Sequence, residues 1–342
     1  MRILKLKKKN LPRFLKSLSS FGELWAPVKK GDAHVFQKIT DPKEIDLQAR
    51  RTILPIKKLI HPPRFKMFDY DGKGYRENLS DIERKVVFGI HPCDIHGLLI
   101  LDQVFMEEHP DPYYIERRKN TAIIGVSCIP DEYCFCNETG TDVTQTGYDL
   151  FFSEIGTDFM IVWVGSSLGD DLVRTAEQLF DENITVEEIE KFIDWKEKRD
   201  KHFTLDINLT AMPDLFELKI NDKVWDKIGE RCLACGACTM VCPTCNCFNV
   251  VDENALEEKK GARKRIWDAC TLHEYSLVAE GHNFRESRAD RMRLWYTHKL
   301  RAFIGAYGDP SCVGCGRCIV TCPVNINVFT VVKTLRGEEV FF

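Results

Sequence analysis

Two patterns of apolar residues divide the chain. Val86–Ile90, Ala122–Val126 and Phe159–Val164 are apolar at almost every position, as in strands buried on both faces. Between the first two, Asp94 is a candidate cap for a helix running from Ile95 through Phe105. Asp170–Phe180 and Thr185–Lys201 read as amphipathic helices, the second heavily charged and exposed. Tyr70-Asp71-Gly72-Lys73-Gly74 reads as a turn. This succession predicts an α/β domain over residues 1–215. From 216 to 342 the strand signals thin out and helical stretches dominate, which predicts an all-α domain. Within it, Glu257–Arg265 reads as a charge-rich connector, and His282–Arg293 is strongly basic.

Composition narrows the functional classes. The 342 residues are 44% hydrophobic and 29% charged, which is ordinary for a globular protein. A net charge of −4 carries no footprint for nucleic acid or for an anionic membrane. No apolar window is long enough for a transmembrane helix. The basic start lacks the apolar stretch of a secretory signal, so a cytoplasmic protein is expected. The outlier is cysteine, with 15 residues. An odd count, clustered spacing and no export signal favour metal ligation over disulfides.

Two runs carry most of the chemistry. Cys232-x2-Cys235-x2-Cys238-x3-Cys242-Pro243 and Cys312-x2-Cys315-x2-Cys318-x3-Cys322-Pro323 share one spacing, that of bacterial-type [4Fe–4S] binding. Two-residue gaps let three thiolates converge from one tight loop, and Gly236 and Gly316 let the backbone approach. The proline then redirects the chain away. In two-cluster ferredoxins the fourth cysteine of each run serves the other cluster. That assigns Cys232, Cys235, Cys238 and Cys322 to one cluster, and Cys312, Cys315, Cys318 and Cys242 to its neighbour. Structural zinc is the competing reading, but zinc has no use for the third cysteine and terminal Cys-Pro repeated twice.

Cys93, Cys128, Cys134 and Cys136 lie in the α/β region, two of them just beyond apolar runs. Ligands gather at strand ends in such sheets. The four suffice for a third [4Fe–4S] cluster if the two strands are neighbours; buried cysteines acting as small hydrophobes are the alternative. Cys245, Cys247 and Cys270, with His273 nearby, either form a further metal site or only shape the first cluster's pocket. His91 and His96 flank Cys93 and read as hydrogen-bonded structural residues. Arg285, Arg288, Arg291 and Arg293 read as a solvated helix face, or as a dock for an acidic partner. Trp225, Trp267 and Trp295 read as core or interface anchors. No dinucleotide fingerprint, phosphate loop or nucleophile motif is present, so no catalytic residue is expected.

Further segments carry a resemblance over nearly the whole chain. They include Gly89-Ile-His-Pro-Cys93-Asp94, Asp131-Glu-Tyr-Cys134-Phe-Cys136, Cys242-Pro-Thr-Cys245-Asn-Cys247 and Arg265-Ile-Trp-Asp-Ala-Cys270. With the two cysteine runs, they make the chain resemble the beta, iron–sulfur subunit of cytoplasmic sulfhydrogenases, the NAD(P)-linked nickel–iron hydrogenases of hyperthermophilic archaea. It is similar too to the electron-transfer subunit of anaerobic sulfite reductase. The resemblance implies a helical ferredoxin-like domain interrupted between its two runs, and membership of a hetero-oligomeric oxidoreductase. It also implies three partners: a flavin subunit that carries FAD and exchanges electrons with NAD(P)H, a nickel–iron large subunit, and a small iron–sulfur subunit. The expected role is electron relay between the flavin and nickel–iron subunits, with no substrate-transforming site in this chain. The alternatives are the corresponding subunit of a sulfite reductase, or a disulfide or sulfur reductase subunit.

Overall fold

The computed structural model describes residues 2–77, 79, 82–107, 109–256 and 259–338. Its strands, in chain order, are β1 (Arg2–Lys7), β2 (Glu23–Lys30), β3 (Ala33–Lys38), β4 (Arg64–Tyr70), β5 (Tyr75–Glu77) and β6 (Lys85–Ile90). There follow β7 (Thr121–Val126), β8 (Leu150–Glu154), β9 (Phe159–Val164), β10 (Phe180–Asp181), β11 (Phe248–Asn254) and β12 (Gly261–Trp267). The chain forms two compact units. The first comprises Met1–Ile60, Leu79–Cys134 and Thr141–Thr204, and the second His61–Asn78, Phe135–Gly140 and Leu205–Phe342. Three stretches of the first 215 residues, 61–78, 135–140 and 205–215, therefore belong to the second unit.

The first unit is built on one mixed sheet of order β10-β1-β9-β8-β7-β6-β2-β3. Its middle strands β2, β6, β7 and β8 are parallel, and the flanking pairs are antiparallel. The apolar runs explain the middle, since every residue of β7 is buried and both faces need cover. On one face Leu4, Leu6, Phe88, Ile124, Phe152 and Val162 pack with Phe14 and Leu172 from the helices Leu11–Ser17 and Ser167–Arg174. Toward the other lies the helix Pro92–Met106. A Cβ on Gly125 would fall 2.9 Å from Ile95 of that helix and 2.3 Å from the Phe151 ring. Glycine is what lets the helix sit so close.

Two helix boundaries differ from expectation. The helix after β6 begins at Pro92, with His91 as the flanking extended residue and Asp94 buried inside the first turn. Proline's fixed φ suits the first helical position, so the start moves ahead of Asp94. The expected helix over Asp170–Phe180 is instead Ser167–Arg174, capped by the Ser166 hydroxyl on Gly169 N. Phe180 leaves it to pair with Leu6 in β10. The helix Val186–Asp200 is as expected, closed by a reciprocal cap between Thr185 and Glu188.

The second unit is not all-α. Beside its helices it holds a sheet of order β11-β12-β4-β5. Glu257 and Glu258 of the expected connector lie outside the described residues, but Gly261–Arg265 is part of strand β12. The sheet escapes an apolar-run search because β11 is mostly exposed and its cross-strand partners are charged. Arg263 pairs Asp252 at 2.8 Å, Lys264 pairs Glu253, and buried Arg265 lies 4.1 Å over the Phe248 ring. The 70–74 turn joins β4 to β5, with Asp71 accepting from Lys73 N and Gly74 N. The helical part packs Phe216, Trp225, Ile228, Tyr296, Val331 and Val332 into one core. Among the described residues no helix is long and apolar enough to cross a membrane.

Candidate metal centres

The two cysteine runs fold as copies of one another. Ala234 and Gly236 in the first, and Gly314 and Gly316 in the second, all have φ between +51° and +75°. Each loop ends on a short helix, Ala237–Met240 or Arg317–Thr321, which carries the third cysteine. The repeat is broken at one position for a visible reason. A Cβ on Gly314 would fall 2.5 Å from the backbone of Cys136, whereas the left-handed position of the first run tolerates Ala234. Phe135 N also donates to Gly314 O at 2.8 Å, so the segment bearing Cys136 is laid against the second loop.

A cavity opens inside the first loop. It is lined by Cys232, Cys235, Cys238 and Cys322, so the last cysteine of the second run joins the first three of the other. Cys318, Trp295 and Thr271 also line it. Ala234 N donates to Cys232 Sγ at 3.3 Å, and Ile326 N to Cys322 Sγ at 3.2 Å. Burial pushes the Cys238 thiol up to about 12, with the neighbouring cysteines adding to it. Across the second loop, burial likewise pushes Cys312 up to about 12, with Cys242 contributing. Such thiols stay protonated until a cationic partner takes the proton's place.

The donor chemistry fits an iron–sulfur cluster. Trp295 Nε1 and Thr271 Oγ1 are both buried with no hydrogen-bond partner among the described residues, and both residues line the first cavity. A buried donor is rarely left unmet, and acceptor sulfurs in that cavity would meet these two. Among the described residues no three His, Cys, Asp or Glu side chains are grouped to hold one metal ion. The lysine Lys299, 3% exposed, donates to Cys242 Sγ at 3.3 Å, Thr244 Oγ1 at 2.9 Å and Ser311 O at 3.1 Å. Burial works to lower the pKa of its ammonium, but the charge that Cys242, Cys245 and Cys312 would carry once ligated raises it by more.

The chain matches the model of a 4Fe-4S dicluster domain over residues 231–326. It is 40% identical over 343 residues to Sulfhydrogenase 2 subunit beta of Pyrococcus furiosus, spanning 98% of this chain and 99% of that one. It belongs to the sulfhydrogenase beta subunit family. The matched dicluster segment contains both cysteine runs of this family member and the hairpin between them.

That hairpin positions the remaining cysteines. Phe248 pairs with Trp267, and Asp268 N donates to Cys247 O at 3.0 Å, so β11 and β12 bring Cys247 toward Cys270. The Cys270 thiol and the Tyr275 hydroxyl both hydrogen-bond Cys247, and this lowers its pKa against the cost of burial. Cys245 instead lies close enough to Lys299 to raise its pKa through charge. The basic run is partly internal. Arg291 is buried and donates to the carbonyls of Thr271, Arg285 and Glu286, while Arg293 pairs Asp290. Trp225 and Trp295 are core residues, and Trp267 Nε1 donates to His61 O.

In the first unit β6 and β7 pair in parallel, so the helix start bearing Cys93 and the loop bearing Cys128 leave the sheet side by side. Cys134 lies close enough to Cys128 to feel its charge, and burial pushes it up to about 12. Each has a cation beside it. Arg199 Nε donates to Cys128 O at 3.2 Å, and Arg51 Nη2 lies 3.6 Å from Cys134 Sγ while pairing Asp131. Arg51 Nε and Nη1 are buried without a partner among the described residues. His96 donates to Val143 O at 2.8 Å. Sequence reasoning missed Lys299, Thr271, Arg51 and Arg199, which sit in no motif; Trp295 was visible only as an aromatic anchor.

Proposed function

We propose that this chain is the electron-transfer iron–sulfur subunit of a cytoplasmic hetero-oligomeric oxidoreductase. It would relay electrons between a nickel–iron hydrogenase core and an NAD(P)H-linked flavin subunit. The observation that carries the reading is the cavity shared by Cys232, Cys235, Cys238 and Cys322, with two donors in its wall that find no acceptor among the described residues. Those four thiolates would hold one [4Fe–4S] cluster, and Cys312, Cys315, Cys318 and Cys242 a second. The clusters supply reversible one-electron exchange. This chain's own residues would hold them close together, exclude water with Trp295 and Tyr296, and donate hydrogen bonds to the sulfurs. FAD, NAD(P) and nickel belong on partner subunits in this reading, as does the small iron–sulfur chain.

A third cluster is proposed for Cys93, Cys128, Cys134 and Cys136. Its support is the parallel pairing of β6 with β7 and the unmet Arg51 nitrogens beside Cys134. Iron and acid-labile sulfide on anaerobically purified chain test both proposals: about eight irons means two clusters, about twelve means three. In the assembled complex, Cys235→Ser or Cys315→Ser should abolish NAD(P)H-linked turnover and spare the dye-linked activity of the catalytic core. Unchanged NAD(P)H-linked turnover would sink the relay.

The Cys247–Cys270–Tyr275 group favours one second reading, a disulfide or sulfur reductase site. Reduction of such a substrate by the cluster-loaded chain alone with a reduced dye would support it. Inactivity would remove it.

A further inference from the structure

We propose that Lys299 is the buried charge that raises the reduction potential of the cluster site formed by Cys312, Cys315, Cys318 and Cys242. The inference rests on the cluster reading above and adds to it a specific tuning residue.

The backbone is shaped to deliver this side chain. The helix Arg288–Thr297 runs into a π-helical turn, His298–Ala302, before continuing as Phe303–Tyr307. Widened turns of this kind are rare and gather at functional sites. Within that turn Lys299 and Leu300 are buried. A lysine ammonium has three donors and no acceptor. Here all three are used, on Cys242 Sγ, Thr244 Oγ1 and Ser311 O. Thr244 is itself braced, donating to the same Ser311 carbonyl at 2.9 Å.

Charge balance gives the arrangement its meaning. A buried ammonium is costly unless an anion answers it. Among the described residues no carboxylate pairs with Lys299; of the three groups its ammonium touches, the one that can carry negative charge is the Cys242 sulfur, 3.3 Å away and a member of the second ligand set. A cation fixed beside a thiolate-ligated cluster favours the more negative, reduced state. A hydrogen bond to a ligand sulfur acts in the same direction. Both effects come from one side chain. At the first site Arg288 donates to Cys232 O from an exposed position. Its field is screened by water and salt.

The test is a potentiometric titration of the full-length, cluster-loaded chain, followed by electron paramagnetic resonance. In Lys299→Met, one cluster should become harder to reduce by at least tenfold in its equilibrium, about 59 mV for one electron. The other cluster should keep its potential, and iron per chain should be unchanged. Lys299→Arg, which retains the charge, should recover most of the loss. The shift should also persist at about 1 M salt, where a surface charge effect would be screened out. Unchanged potentials in an iron-replete Lys299→Met chain would overturn the proposal. If that variant does not load iron, Thr244→Val serves instead, since it frees the ammonium without removing it. A smaller shift in the same direction supports the proposal and an unmoved potential overturns it. A wild-type chain without iron would instead sink the cluster reading beneath it.

Discussion

Among the described residues Trp295 Nε1 and Thr271 Oγ1 are donors without acceptors, and each such buried group costs about 1–3 kcal/mol if left so. Sulfur in the first cavity would remove that cost. Trp295→Phe keeps the ring and deletes the donor, so the first cluster should become harder to reduce while iron content stays the same. A redox titration of the variant reads this directly; an unmoved potential would mean the indole nitrogen donates nowhere near the cluster. Gly314 gives a second residue-scale expectation. Its φ of +59° and its 2.5 Å approach to Cys136 leave no room for a methyl group. Gly314→Ala should push the 135–136 segment off the loop and lower iron retention at the second run. Ala234→Gly should be tolerated, as iron analysis of both variants would show. The repeat spacing marks both positions, but only the packed neighbour says which one must be glycine.

Helix packing sets the next scale. A Cβ on Gly229 would fall 2.6 Å from Ala289 N, where the helix Val224–Arg231 meets the helix Arg288–Thr297. Gly229→Ala therefore forces the pair apart. We expect a loss of about 1–3 kcal/mol in denaturant unfolding, despite alanine's better helix propensity. The strand elements show where sequence reading stops. β6, β7 and β9 are continuous apolar runs and are legible as such. β11 and β12 are not, because their stability comes from cross-strand ion pairs and an arginine on a phenylalanine ring, which only pairing reveals. Yet this hairpin is what brings Cys247 to Cys270, which sequence alone leaves as separate members of a loose group.

The two units differ in what holds them, and metal removal should separate them. The first has a sheet with a large apolar core. The second surrounds its thiols with short helices, and its core includes Cys232, Cys238, Cys312, Cys318 and Cys322 at its edge. Where metal and folding are coupled, removing the metal removes folding free energy. Iron chelation of the oxidised full-length chain should therefore lower the melting temperature of the second unit and leave the first sheet folded. Calorimetry alongside circular dichroism would show this as two separated transitions. A single unchanged transition would show that the iron carries no stability.

The sequence alone determined the eight-cysteine repeat, its chemistry, the apolar strands of the first sheet and the family. These are local signals, written in spacing and in runs of one residue type. Only the tertiary structure decided that residues 64–77 join the second unit's sheet, and that the 248–267 hairpin brings Cys247 toward Cys270. It alone set Lys299 against Cys242 and left the Trp295 donor without an acceptor among the described residues. The physical reason is the same in each case. Charge compensation and hydrogen-bond satisfaction are settled between residues far apart in the chain, and no periodicity records them.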